Sequence, residues 1–66
     1  MLTPKQCQKN RKKFSITQLK LSARADVSIV TLRSFERGMN VRPSVRHRID
    51  KAMFEIVSEI AQSREQ

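Results

Sequence analysis

The chain has 66 residues and a net charge of +8, from 14 Lys or Arg against 6 Asp or Glu, with three Phe, no Trp or Tyr, one Gly, two Pro, one Cys and one His. Such a length makes one domain, residues 1–66, that buries only about 60% of its unfolded surface, and this composition favours a compact helical bundle without strands. It excludes an intramolecular disulfide and a metal cluster of the usual soft ligands. With no apolar run near 18 residues and no signal peptide, the expectation is a cytoplasmic protein without membrane contact.

The first element opens with Leu2-Thr3-Pro4-Lys5-Gln6-Cys7, which predicts a capping box from Thr3 to Gln6, proline at the first helical position and a Leu2–Cys7 staple. Cys7 and Phe14, two turns apart, face inward, and Lys5, Lys9, Lys12 and Lys13 surround the wet side. Lys12 and Lys13 are candidates for a phosphate backbone, although a solvated helix face carries such residues without any partner.

Residues 17–38 read as two short helices around a tight turn. Thr17 caps the first, which runs to about Ala25 with Leu21 and Ala25 on one face and the small Ser22 beside them. Asp26 breaks the pattern and takes the left-handed conformation that reverses the chain. Ser28 caps the second helix, in which Leu32 and Phe35 fall together while Ile29, Val30, Arg33, Ser34 and Arg37 spread over the opposite side. Gly38 closes it. An outward face that mixes apolar and basic residues suits the DNA major groove, where arginine meets guanine edges and apolar groups meet thymine methyls.

Met39 to Pro43 forms a connecting loop, with Arg42 placed for a backbone phosphate. The last helix is predicted from Ser44, as N-cap, to about Gln62, its inward stripe made of Val45, Ile49, Ala52, Met53, Ile56, Val57 and Ile60. A break or extra turn is expected late in it. Phe54 points away from that stripe, and Val57, Ile60 and Ala61 border it, so this side is either a homodimer seam or an amphipathic helix carrying one stray Phe.

The charge is uneven. Residues 1–42 hold ten Lys or Arg against Asp26 and Glu36, whereas residues 43–66 hold four of each sign. Basic excess coincident with the two-helix motif points to a polyanion. Neither a Gly-rich phosphate loop nor a spaced carboxylate pair is present, which argues against an enzyme, and no cofactor is implied.

Several features together resemble the Cro and phage-repressor (XRE) class of helix-turn-helix regulators: Thr17-Gln18, Leu21, Ala25, Val27-Ser28, Thr31-Leu32 and Phe35-Glu36-Arg37-Gly38. The likeness extends upstream through Leu2-Thr3-Pro4, Gln6-Cys7, Arg11 and Phe14, and covers about residues 2–44. Asp26 stands where the family usually has Gly, and Ser22 where it usually has Ala.

The resemblance implies a small all-α, lambda-repressor-like bundle with a long C-terminal helix. It also implies an Arg11–Glu36 ion pair, and a second motif helix lying in the major groove while the Thr17 helix crosses the backbone. Ser28, Ile29, Val30, Arg33 and Ser34 would then read bases, and Thr17, Gln18, Lys12, Lys13, Lys20, Arg37 and Arg42 would contact phosphates. The expected partners are double-stranded DNA with a near-palindromic operator and a second copy of the chain, with no small-molecule ligand. A protein-interaction module, an antagonist of another regulator that retains the same fold, is the alternative; Ile29 and Val30 would serve a protein groove as well as thymine methyls.

Overall fold

The computed structural model describes residues 2–64. Four helices follow one another: α1 (Pro4–Lys13), α2 (Gln18–Ala25), α3 (Ile29–Glu36) and α4 (Pro43–Arg64). No strand occurs among the described residues.

Side-chain caps start the first three helices. Thr3 Oγ1 accepts from the Gln6 backbone N–H at 3.1 Å while Gln6 Oε1 accepts from that of Thr3 at 3.0 Å, so the box is reciprocal. Thr17 Oγ1 accepts from Lys20 N–H at 3.0 Å, and Ser28 Oγ from Thr31 N–H at 3.1 Å. Each bond satisfies a donor that the helix itself leaves unpaired.

The last helix begins at Pro43 and not at Ser44. The Arg42 carbonyl already accepts from Val45 N–H at 2.9 Å and Arg46 N–H at 3.1 Å. Proline lacks the N–H that would be orphaned at a first helical position, and its fixed φ suits that place. This helix continues without the expected break, two residues past Gln62.

One device ends all three short helices. Ile16, Val27 and Met39 donate to carbonyls five residues back, on Arg11, Ser22 and Ser34, at 2.7, 3.1 and 3.0 Å. Ser15, Asp26 and Gly38 donate three residues back, at 3.3, 3.2 and 2.9 Å, and sit at φ 56°, 58° and 86°. This paired pattern around a left-handed residue is the Schellman motif. Only the third stop uses the glycine that the conformation favours. Asp26 is where the sequence placed it; Ser15 does the same work unannounced.

Cys7, Ile16, Leu21, Ala25, Leu32, Phe35, Ile49, Ala52, Met53 and Ile56 make one buried cluster, edged by half-buried Phe14, Val45, Val57 and Ile60. Helix α4 packs chiefly on α2, and α3 on both α1 and α2. Ile16 lies between helices, outside any periodic stripe, yet it is a core residue. The buried Ser22 donates its hydroxyl to the Leu19 carbonyl at 2.9 Å, which lets α2 bury a polar residue without an orphaned donor. On the surface, Arg24 of α2 forks onto Glu59 of α4 at 2.6 to 2.8 Å and lies 3.9 Å from Glu55. Exposed pairs of this kind add at most about 1 kcal/mol.

The two non-glycine stops predict a gain on relief. Ser15→Gly and Asp26→Gly should each raise stability by about 1 kcal/mol, the left-handed penalty less the added chain entropy of glycine. Urea unfolding followed by circular dichroism checks this; two variants no more stable than the parent would mean that these turns are unstrained.

Candidate nucleic-acid interface

Leu32, Phe35 and Glu36 form the buried side of α3, so an acid stands in the core-facing row. Glu36 is 5% exposed. A buried carboxylate is costly without compensation, and two helices supply it. Arg11 of α1 donates from Nε to Oε2 at 2.9 Å and from its NH2 group to Oε1 at 3.0 Å. Gln18 of α2 donates Nε2 to Oε1 at 3.2 Å, and the Cys7 thiol of α1 donates to Oε2 at 3.3 Å. Each oxygen thus takes two donors, which fills the capacity of the group. Gln8 adds a bond of 2.6 Å to the Glu36 backbone carbonyl.

Burial alone pushes the Glu36 carboxyl up, but hydrogen bonds from Arg11, Gln18 and Cys7, with the Arg11 charge, outweigh it and hold the acid below its ordinary value. The same contacts act oppositely on the thiol. Burial, then the hydrogen bond to Glu36 and its negative charge, push Cys7 up to about 12 against the opposing pull of Arg11. Cys7 is therefore an uncharged thiol at neutral pH.

Above this anchor α3 turns a mixed face outward. Val30 is 64% exposed, and Arg33 and Arg37 are exposed beside it. A cleft of about 470 Å³ runs between this face and α1, with Lys12, Gln18, Val30, Arg33 and Arg37 along it and Arg11 and Glu36 also in its lining. Five residues chosen from the sequence as DNA contacts are thereby brought together. Lys20 and Arg42 are exposed outside that cleft, and Lys13 places its ammonium 5.5 Å from the centre of the Phe14 ring.

Three of the expected contacts have other engagements. The Thr17 hydroxyl and the Ser28 hydroxyl serve as helix caps, and Ser28 Oγ also lies 2.8 Å from Thr31 Oγ1. Gln18, expected at a phosphate, is half-buried and bonded to Glu36 and to Arg33, whose Nε donates to Gln18 Oε1 at 3.2 Å. Ile29 and Ser34, expected outward, are half-buried. Ile29 precedes Leu32 by three residues, only about 60° round the helix from the core stripe.

On α4, Phe54 is 74% exposed and Ala61 is exposed, whereas Val57 and Ile60 pack against the core. Beside Phe54 lies a groove of about 250 Å³ floored by Leu2, Met53 and Val57. Leu2 comes from the segment before α1, so the apolar surface crosses elements. Leu19, 67% exposed on α2, is a large apolar residue that the sequence pattern did not mark. No cluster of three His, Cys, Asp or Glu that could hold a metal occurs among the described residues, and no helix is long and apolar enough to cross a membrane.

Glu36 gives a pH-dependent prediction. Its folded value is depressed, so its contribution is present above the unfolded carboxyl value of about 4.3 and is lost as pH falls through the folded value below that. Thermal melts from pH 7 to 2 should show this acid limb. Glu36→Ala should lack it and should be less stable at pH 7 by about 3 to 5 kcal/mol, because Arg11 is left without its counter-charge. An unchanged melting temperature at pH 7 would mean that the pair holds nothing together. Comparison of the chain with family models, with curated proteins and with solved structures finds no match.

Proposed function

We propose that the protein is a sequence-specific double-stranded DNA-binding transcriptional regulator that acts as a homodimer, a repressor or autoregulator of the phage or mobile-element type, in the cytoplasm. The observation that carries this is the outward face of α3. A helix fixed at its base by Leu32, Phe35 and Glu36 offers Val30, Arg33 and Arg37 to solvent, with Lys12 across one cleft, on a chain of net charge +8. Arginine at mid-helix with an exposed branched residue is the side-chain mixture that reads guanine edges and thymine methyls. The resemblance to Cro and phage repressors supports the same function from the sequence.

In this mechanism α3 enters the major groove and α2 crosses the backbone, its first-turn N–H groups turned to a phosphate. Arg33 and Val30 face base edges, with the half-buried Ile29 and Ser34 and the capping Ser28 beside them. Lys12, Lys13, Lys20, Arg37 and Arg42 neutralise phosphates. Phe54 with its neighbouring groove joins two copies about a two-fold axis, which spaces the two α3 helices one turn of DNA apart, about 34 Å.

A protein-binding antagonist is the second reading, favoured by the exposure of both Leu19 and Val30. Salt separates the two. Some eight Lys or Arg–phosphate contacts in a dimer lower affinity about 10⁴-fold between 50 and 200 mM salt. Selection from random duplexes, then a mobility shift at both concentrations, should recover a near-palindrome bound with that dependence; a duplex bound equally at both would rule out the phosphate contacts.

Arg33→Ala should weaken binding to the selected duplex by about 1 to 3 kcal/mol and change binding to random DNA much less. Equal losses on both would assign Arg33 to phosphate alone. Phe54→Glu, which charges an exposed site and leaves the core stripe intact, should give a folded monomer by sedimentation that keeps only weak non-specific binding. A variant that still sediments as a dimer would move the seam off this face.

A further inference from the structure

The side chains of Glu36, Gln18 and Arg33 form a chain of hydrogen bonds from the buried base of α3 to its exposed face. Gln18 Nε2 donates to Glu36 Oε1 at 3.2 Å, and Gln18 Oε1 accepts from Arg33 Nε at 3.2 Å. The direction of this chain is fixed by chemistry. An ionised carboxylate only accepts and a guanidinium only donates, so the carboxamide between them has one workable orientation. Turned over, it would set its oxygen against Glu36 and its amino group against Arg33. Glu36 is held in turn by Arg11 and Cys7, which makes the anchoring end stiff.

Arg33 gains a fixed direction from this. A free arginine must give up much side-chain entropy on meeting a base. With Nε engaged, the guanidinium plane is set at its inner edge, and among the described residues neither terminal amino group has a protein partner. Those two groups are the fork that meets the paired acceptors of guanine. Gln18 Nε2 gives one hydrogen to Glu36, and its oxygen, turned to Arg33, cannot serve an anion.

We propose that Gln18 is the positioning residue for Arg33, a determinant of sequence discrimination whose side chain acts through the recognition helix; this rests on the DNA-binding function proposed above. Its carboxamide transmits the order of the buried Glu36 site to the exposed reader. Pre-ordering one long side chain corresponds to roughly 2- to 12-fold in binding.

The test uses Gln18→Leu, Arg33→Ala and the double variant, with affinities measured for a duplex selected by the wild-type protein and for a random duplex at one salt concentration. Gln18→Leu should lose roughly 2- to 12-fold in preference for the selected duplex while random-duplex affinity holds, and it should cost nothing further once Arg33 is alanine. Nitrogen-15 NMR of the DNA-free wild-type protein supplies a readout that needs no variant to fold: Arg33 Nε–H should give a resolved, slowly exchanging signal. A signal averaged with water overturns the positioning role. So does an equal loss on both duplexes, the mark of a phosphate contact, or an undiminished loss in the Arg33→Ala background. A wild-type protein that selects no duplex at all overturns the DNA-binding function, whereas one that selects a duplex and is indifferent to Gln18→Leu overturns only the role of Gln18.

Discussion

The carboxylate of Glu36 is the joint on which the first three helices depend. Arg11 and Cys7 reach it from α1 and Gln18 from α2, while its own backbone belongs to the last turn of α3. Helices of eight or ten residues are unstable alone in water, since nucleation costs more than so few hydrogen bonds return. What orders them is shared burial, and a single charge with four donors adds geometry that apolar packing does not supply. Hydrophobic contacts tolerate sliding; a forked guanidinium on a carboxylate does not. The net stabilisation from such a buried pair is small. Its contribution is registration, fixing the turn of α3 about its own axis and hence which residues face outward.

Helix α4 is organised differently. It meets the others through Ile49, Ala52, Met53 and Ile56, and among the described residues its only ionic ties are the surface contacts from Arg24 to Glu55 and Glu59. At 1.5 Å per residue its 22 residues run about 33 Å, most of the 39 Å length of the molecule. Its far side is left uncovered among the described residues. Phe54 belongs to that side.

Local rules were legible in the sequence because they act over a few residues. The caps at Thr3, Thr17 and Ser28 and the left-handed Asp26 needed only neighbours three or five positions away. Periodicity was likewise enough for the inward stripe of α4. The Arg11–Glu36 pair joins residues 25 apart and was visible only through resemblance to a family. Nothing in spacing announces that Gln18 turns inward to Glu36, or that Arg24 meets Glu59 across 35 residues. Ser15 escaped notice because serine is a poor marker for a positive φ. Pro43 was misplaced for the opposite reason: a residue suited to the first helical position was assigned to the end of the preceding loop.

The Cys7 thiol carries a consequence for how this domain's motions can be followed. It lies at 0% exposure against Glu36, uncharged across the neutral range. Alkylating reagents attack thiolates that they can reach. A reagent in dilute solution thus finds Cys7 only in molecules whose α1 has parted from α3, and the labelling rate, divided by that of an unstructured thiol, counts the open fraction. Nature has placed a single reporter at the joint between the first helix and the third. Any partner that clasps those helices will slow its clock, and the slowing measures the grip.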